Sequence, residues 1–518
     1  MIEGPNCSEI MPPNRREFML AALGALGVTV SCSTAPAAPF NLQEADIESA
    51  QRAMQAGSLT ARSLCEQYLA RIAAMNATLH AVLEVNPDAS RIADALDRER
   101  RERGPRGVLH GIPILIKDNI ETSDRMETTA GSRALVGVPV PGDAFAVAQL
   151  RAAGAVVLGK ANLTEWAGAG GTNGYSTRGG QGVNPYDHTR TALGSSSGSG
   201  IAVCANLSMA ALGTETFGSI AAPSALLGIV GVRPTVGLIS RTGVVPVAWS
   251  MDSIGPMTRT VRDAAHVLTA LARKDPADAA TAAAPAAVDY ARALTPTLDG
   301  LRIGVVREKS PEVVTSLFEQ SLAVLRTAGA VLVDVDLPPI EDKIFADEME
   351  VVLSEMKEQL PRYLSSRRPG APIKTLTDVI DANRRNGSGA MAPLAEANSK
   401  GPTSGEAYRR AFARIRLNAR DNGLDGASRT HALDAFVSSS IGPAWAIGDD
   451  SKTDPRTPRG MFLSSGAGYP TVTVPMGFVE ALPVGLLFFG TAWTESTLLR
   501  CAFAYEQRTH HRRPPPVG

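Results

Sequence analysis

The 518-residue sequence contains little of what metal sites, disulfide frameworks and nucleic-acid interfaces require. Its five cysteines have no close spacing, which argues against both a disulfide framework and a zinc site; they are Cys7, Cys32, Cys65, Cys204 and Cys501. The seven histidines are scattered apart from one pair near the C-terminus, and no H-x-x-E-H or EF-hand spacing occurs. The formal net charge is −1, so no basic surface for nucleic acid is indicated. We therefore expect no metal, no cofactor and no nucleic-acid partner.

The sequence also lacks an apolar run long enough to span a membrane, which needs about 20 residues. Near the N-terminus, NRREFML (14–20) leads into a shorter apolar run that ends at Val30, and small residues follow at 33–37. A paired arginine before such a run resembles a twin-arginine export signal. Residues 1–37 are thus predicted to be an export signal and linker, and the protein is expected to be periplasmic or secreted. Cys32 is a possible site of lipid attachment, and Met11 is an alternative start of the chain.

What the sequence does contain is an alternation of short apolar runs with amphipathic segments. Residues 112–117 predict a buried strand with Lys117 at its C-terminal end, residues 143–153 predict a helix, and residues 155–158 predict the next strand. This pattern predicts an α/β fold with a large mixed, mostly parallel sheet covered by helices on both faces. Residues 38–518 are expected to form a single domain. Ligands of such sheets collect at the carboxyl ends of strands, where Lys117 is placed.

Two glycine- and serine-rich turns, GSSSGSG (194–200) and TETFGSI (214–220), flank an apolar run that can form a buried helix and strand. If the helix and strand between them pack together, the two turns are held at a fixed separation. A nucleophile and its proton relay require such a fixed separation. Gly218 before Ser219 allows a backbone conformation in which successive N–H groups stabilise an oxyanion. The alternative of a flexible linker is disfavoured because both turns stand between apolar segments.

Together with further blocks in the same order, these turns resemble the amidase signature hydrolases. The blocks are GIPILIKDNI (111–120), TTAGS (128–132), GAVVLGKANLTEWA (154–167), AGYPTVTVPMG (467–477) and LPVGLLFFG (482–490). The SSSGSG form of the first turn, GTETFGSI and the closing AWTESTLLRCAFAYEQRT (492–509) are most similar to the peptide amidase branch. The resemblance spreads over most of residues 43–509 and implies the amidase signature fold.

The resemblance also implies roles for particular residues. Ser219 stands at the position of the nucleophile, Ser195 at that of a bridging hydroxyl after a cis peptide bond, and Lys117 at that of the base. The oxyanion would be bound by the backbone N–H groups of Thr216, Phe217, Gly218 and Ser219 itself. Lys117 must then be neutral, which burial favours; an exposed lysine paired with Asp118 is the alternative.

The implied activity is that of a serine amidohydrolase. It would convert a carboxamide, a C-terminal peptide amide or a small amide, to the carboxylate and ammonia through an acyl-enzyme. Phe217, Ala221 and Leu193 depart from the residues that many family members carry, which puts the substrate range in doubt. Residues 340–430, more charged and helical in composition, correspond to the variable region that shapes the family's substrate pocket.

Other functions remain open at this point. Ser196 is central in a G-x-S-x-G pattern, for which His431 is the isolated late histidine, and Ser354 to Lys357 matches S-x-x-K within a predicted helix without its companion motifs. The chain could also hydrolyse fatty or aryl amides, or be a catalytically silent binding protein. A further alternative is a partner-dependent component of the amidotransferase that acts on misacylated tRNA; that assembly works in the cytoplasm, so an export signal counts against it.

Overall fold

The computed structural model describes Met1 and residues 40–168, 173–387, 392–449 and 457–516. The predicted export signal, with Arg15, Arg16 and Cys32, lies outside these residues. Residues Phe40–Gly518 form one compact unit. Within the described part of the chain, no helix has the length and apolar character needed to cross a bilayer.

Fifteen strands are defined among the described residues. They are β1 (Val82–Val85), β2 (Pro113–Lys117), β3 (Val156–Ala161), β4 (Tyr175–Ser176), β5 (Gly180–Gln181), β6 (Val183–Asn184), β7 (Asp187–Thr191), β8 (Ala210–Glu215), β9 (Val230–Arg233), β10 (Ser253–Thr258), β11 (Arg302–Val305), β12 (Val331–Asp334), β13 (Ala435–Ser439), β14 (Thr471–Val479) and β15 (Leu482–Phe489).

Eleven of these strands form one mixed sheet in the order β1-β3-β2-β8-β10-β9-β14-β15-β13-β11-β12. The expected α/β fold with a large mixed sheet and surrounding helices is confirmed. Parallel pairing is confined to two blocks, β3-β2-β8 and β13-β11-β12. The parallel share is therefore smaller than the sequence pattern suggests. The two-residue link between β14 and β15 forces an antiparallel pair, and β10 lies antiparallel between β8 and β9.

The described α-helices lie between and around these strands. They are α1 (Ile47–Gln55), α2 (Ala61–Leu79), α3 (Ala89–Arg103), α4 (Phe145–Ala152), α5 (Ser197–Cys204), α6 (Ala221–Leu226), α7 (Val261–Leu271), α8 (Glu312–Thr327), α9 (Asp342–Arg367), α10 (Leu376–Arg385), α11 (Ala392–Ser399), α12 (Glu406–Arg416), α13 (Asp425–His431), α14 (Arg459–Ala467) and α15 (Glu495–Thr509). Short 3-10 segments and one π-helical segment, Leu417–Leu424, complete the set.

Local sequence explains several helix boundaries. The side chain of Asp46 accepts the N–H of Ser49 at the start of α1, and the Ser49 side chain accepts the N–H of Asp46 in return, forming a capping box. The Thr60 hydroxyl accepts the N–H of Ser63 at the start of α2, and threonine is a favoured residue at this capping position. The buried helix α5, by contrast, contains two glycines and two serines, which are poor helix formers, so packing against β2, β3 and β8 must stabilise it.

The variable region predicted at 340–430 is helical, since it contains α9 to α13 and the π-helical segment. Helices α9 to α12 pack on one another around a separate apolar cluster that includes Val351, Leu360 and Ile415. Val247 and Met251 from the loop before β10 belong to the same cluster. This packing places α9 beside the strand ends that carry the site residues.

Candidate active site

Lys117 is the last residue of β2, and its side chain is fully buried. Because β2 runs parallel to β8, the carboxyl ends of the two strands meet, and Lys117 lies beside Thr214. The Lys117 Nζ is 2.7 Å from Ser195 Oγ, 2.9 Å from Ser196 Oγ, 2.9 Å from Thr214 Oγ1 and 3.1 Å from the Thr214 carbonyl oxygen. The structure therefore brings Lys117 and Ser195 together. It rules out the alternative in which Lys117 is exposed and paired with Asp118.

Burial holds the pKa of Lys117 well below its ordinary value of 10.5, although the negative charges of Glu215 and Asp252 partly oppose this shift. A neutral amine has two N–H donors and one lone pair. The Thr214 carbonyl oxygen can only accept, and the Ser196 hydroxyl already donates to that oxygen at 3.0 Å. The hydroxyl of Ser195 is thus well placed to donate to the lone pair of Lys117.

The turn that carries Ser195 is closely packed. The peptide bond between Gly194 and Ser195 is cis, the geometry that the family resemblance implies. A Cβ at Gly194 would lie 2.1 Å from Thr164 Oγ1, so only glycine fits there. The carbonyl of Ser195 accepts the N–H of Thr164 at 2.9 Å, which ties the turn to the segment after β3.

The second turn, residues 216–219, follows β8 directly. Gly218 has a φ of 68°, and a Cβ at this position would lie 2.7 Å from Met461 Sδ. One carboxylate oxygen of Glu215 accepts the N–H groups of Ile220 and Ala221 at 2.7 and 2.9 Å, which closes the turn around Ser219. The N–H groups of Phe217, Gly218 and Ser219 find no acceptor among the described residues. They can donate to an oxyanion.

A cavity of about 280 Å³ opens between these two turns and α9. Gly194, Ser195, Thr216, Phe217 and Ser219 line one side, so both predicted serines face one space. The other side is formed by α9 side chains at helical spacing: Phe345, Glu348, Met349, Val352, Leu353 and Met356. The volume is near the lower end of the range for small-molecule pockets, about 300–1,000 Å³.

Sequence reasoning missed several polar residues of the site, among them Thr214, Glu215 and Asp252. Thr214 contacts Lys117, Glu215 fixes the Ser219 turn, and Asp252 accepts the hydroxyl of Thr216 and the N–H groups of Val247 and Ala248. Thr214 and Glu215 end a buried apolar strand, a position at which polar residues usually have a function. No comparable signal marks Asp252.

The alternative serine motifs do not form sites. The Ser196 hydroxyl bonds to Lys117 and Thr214, while His431 is exposed at the end of α13. Ser354 is buried in α9, and the Lys357 Nζ donates to the carbonyl of Lys400. Within the described residues, no group of three His, Cys, Asp or Glu side chains could hold a metal ion, and Cys65, Cys204 and Cys501 are unpaired and buried.

The chain belongs to the Amidase family, whose sequence profile matches residues 63–499. A probable amidase of Arabidopsis thaliana is 39% identical over 500 residues, covering 92% of each chain. One component of the glutamyl-tRNA(Gln) amidotransferase of Chloroflexus aurantiacus is 38% identical over 493 residues, covering 91% of this chain and 99% of the relative.

Among solved structures, the native peptide amidase of Stenotrophomonas maltophilia is similar to this chain with a TM-score of 0.87 and 46% sequence identity. The superposition covers 92% of this chain and 99% of that chain. The family, the amidase signature fold and the general activity, amide hydrolysis, are thereby shown.

Proposed function

We propose that this protein is a serine amidohydrolase that converts C-terminal peptide amides, or small amides, to the carboxylate and ammonia. The observation that carries the proposal is the contact of 2.7 Å between the buried Lys117 Nζ and Ser195 Oγ, beside a cavity that Ser219 also lines. The similarity to a peptide amidase at 46% identity supports the choice of substrate class.

In the proposed reaction, Ser219 Oγ attacks the carbonyl carbon of the amide. Its proton passes to Ser195, whose own proton passes to the neutral Nζ of Lys117. Burial lowers the pKa of Lys117 and so favours the uncharged amine that can accept this proton. The amine thus activates the nucleophile through one hydroxyl.

The tetrahedral intermediate places negative charge on the former carbonyl oxygen. The N–H groups of Thr216, Phe217, Gly218 and Ser219 belong to the turn that faces the cavity, and we assign the oxyanion site to this turn. Loss of a single oxyanion donor typically costs about 10²- to 10³-fold in kcat. Hydrogen bonds from Ile220 and Ala221 to Glu215 hold the turn in place before substrate arrives.

Collapse of this intermediate requires a proton on the leaving nitrogen. The proton held by Lys117 returns through Ser195 to that nitrogen, ammonia leaves, and the acyl group stays on Ser219 Oγ. Water then attacks the acyl carbon while Ser195 and Lys117 remove its proton. The ester bond to Ser219 Oγ breaks, the proton returns through Ser195 to Ser219 Oγ, and the carboxylate leaves. No cofactor enters this sequence.

The proposal is tested by measuring ammonia release from panels of peptide amides, fatty amides and aryl amides. We expect turnover of peptide amides, with Ser219→Ala reducing it by at least about 10³-fold. Ser199→Ala is a matched control, because the Ser199 hydroxyl donates to the Leu212 carbonyl and does not line the cavity. Activity that survives in Ser219→Ala would remove Ser219 as the nucleophile.

A second candidate function is that of a partner-dependent component of an amidotransferase, which the 38% identity to the Chloroflexus aurantiacus protein favours. An activity measurement on the isolated chain distinguishes the two candidate functions. Ammonia release by the purified chain alone supports the hydrolase, whereas activity that depends on added partner proteins supports the alternative.

The location of the protein also remains a proposal, based on the paired arginines at 15 and 16 and the apolar run that follows. Cell fractionation tests it. We expect the unaltered protein to lie outside the cytoplasm, and we expect the double variant Arg15→Lys/Arg16→Lys to stay in the cytoplasm. Cytoplasmic location of the unaltered chain contradicts the export signal.

A further inference from the structure

Glu348 of α9 lines the same cavity as Ser195 and Ser219. It is the only residue with a carboxyl or basic side chain among the described residues that line this cavity, and the other α9 side chains there are apolar. Only 3% of Glu348 is exposed. A carboxyl group placed in so apolar a wall disfavours folding unless a partner satisfies it.

Neither carboxyl oxygen of Glu348 has a hydrogen-bond partner among the described residues. Asp252, another buried carboxyl of the site, is in contrast well satisfied, since it accepts the Thr216 hydroxyl and the N–H groups of Val247 and Ala248. The fold therefore provides hydrogen-bond partners for Asp252 and for Glu215, and it leaves Glu348 without one among the described residues. An unsatisfied acceptor on a cavity wall is a binding position for a ligand donor.

Two guanidinium groups, those of Arg233 and Arg416, attract the negative charge of Glu348 without hydrogen-bonding to it. Their charge is outweighed by burial, which raises the pKa of Glu348 to about 8. Arg233 donates instead to the carbonyl of Met251, and Arg416 donates to that of Ser250. Charged or neutral, the carboxyl group retains an oxygen that accepts an N–H from a ligand.

We propose that Glu348 selects substrates that carry a hydrogen-bond-donating nitrogen on the carbon next to the scissile carbonyl. Ser219 and Glu348 line the same cavity of about 280 Å³, so a donor that reaches Glu348 belongs to the part of the substrate that enters this cavity with the scissile carbonyl. In a peptide amide or an amino acid amide that donor is the α-nitrogen. Fatty and aryl amides lack it. The inference deepens the proposed function and rests on it.

The apolar walls complete this assignment. Phe217, Phe345, Val352 and Met356 offer contacts to an uncharged side chain on the same α-carbon. The substrate class is thus an α-amino or α-acylamino carboxamide with an apolar side chain. Glu348 acts on recognition and takes no part in the proton transfers assigned to Lys117, Ser195 and Ser219.

The test compares three amides that share the leucine side chain: N-acetyl-leucinamide, leucinamide, and the analogue of the first in which CH₂ replaces the α-nitrogen. We expect Glu348→Leu to lower kcat/KM for the nitrogen-containing amides by about 10-fold or more, the effect of one hydrogen bond to a carboxyl group. The CH₂ analogue should change by less than about 2-fold. A loss confined to leucinamide identifies an ammonium donor, and a loss with both identifies the N–H group they share.

Two further variants separate recognition from structure. Glu348→Gln keeps one acceptor oxygen, so its loss should be smaller than that of Glu348→Leu. Glu350→Leu changes a carboxylate of the same helix that pairs with Lys400 at 3.1 Å and does not line the cavity, and its substrate preference should match the wild type. The Tm of Glu348→Leu should not fall, because an unsatisfied buried carboxyl group disfavours the folded state.

Equal losses with all three amides, together with a lower Tm, would overturn the proposal and assign Glu348 a structural role. Unchanged activity in Glu348→Leu would overturn it as well. In both cases the wild-type enzyme still releases ammonia, so the proposed amidase function survives. Failure of the wild type to hydrolyse any amide contradicts the proposed function itself.

Discussion

The backbone N–H of Ser196 donates a hydrogen bond of 3.1 Å to the carbonyl oxygen of Ser219. This hydrogen bond connects the two serine turns directly. In the first turn it involves the residue after Ser195, and in the second turn it involves the proposed nucleophile itself. Since the Ser196 hydroxyl also contacts Lys117 at 2.9 Å, one residue touches both ends of the proposed relay. The separation of the three reacting groups is therefore set by the backbone.

Replacing Lys117 by alanine is expected to lower kcat by about 10²- to 10⁴-fold, because general-base catalysis of the attack is lost. Steady-state ammonia release measures the effect. Lys309→Ala, which removes an exposed lysine far along the sequence, is the control and should leave kcat unchanged. A Lys117→Ala enzyme that kept most of its kcat would contradict the relay.

The pH dependence of kcat/KM should follow the ionisation of Lys117. A protonated amine cannot accept the Ser195 proton, so activity rises as pH increases through the folded-state pKa of Lys117. Because burial lowers that pKa, the plateau should be reached below about pH 10.4, the pKa of a free lysine. A rise that continues past this pH would show that Lys117 is charged in the folded enzyme.

The same shift predicts a change in stability. Between the folded pKa of Lys117 and about pH 10.4, the unfolded chain binds a proton that the folded chain does not, so this site's contribution to the free energy of unfolding rises with pH. Lys117→Met removes the titrating group and should flatten this part of the curve. Chemical denaturation across that window checks the sign; a contribution that falls with rising pH contradicts it.

Glu215→Gln should reduce kcat by about 10-fold or more while changing KM little. The carboxylate oxygen that accepts both the Ile220 and Ala221 N–H groups holds the Ser219 turn in place, and an uncharged amide holds it less firmly. Steady-state kinetics separates the two parameters. The control is Glu312→Gln at the exposed start of α8, and an equal effect there would contradict the positioning role of Glu215.

Phe217→Ala should widen the range of acyl groups that the enzyme accepts. Phe217 lines the cavity and packs edge-on against Phe462, with ring centroids 5.6 Å apart. Its removal enlarges the space, so kcat/KM for bulky acyl groups should rise relative to small ones. Because Phe217 is only half-buried, the stability cost should be about 1–3 kcal/mol, below the roughly 3–5 kcal/mol of a fully buried phenylalanine. Relative kcat/KM values for amides of increasing size test this; an unchanged ranking would show that other walls limit the substrate.

Much of the architecture could be predicted from local sequence. The apolar run before Lys117 predicted β2, residues 143–153 predicted α4, and the composition of residues 340–430 predicted helices. These features depend on residues that are close to one another in the sequence. Strand directions were predicted less well, because the pairing of β10 with β8 and β9 depends on contacts between distant segments.

The sequence by itself determined the family resemblance, the identity of the serines and the lysine, and the position of Lys117 at a strand end. Only the tertiary structure decided which polar groups surround that lysine, since its neighbour Thr214 lies 97 positions away along the chain. The placement of Glu348 in the same cavity as Ser219 was decided in the same way. Burial and charge depend on which segments pack together, and a linear pattern of residue types does not contain that information.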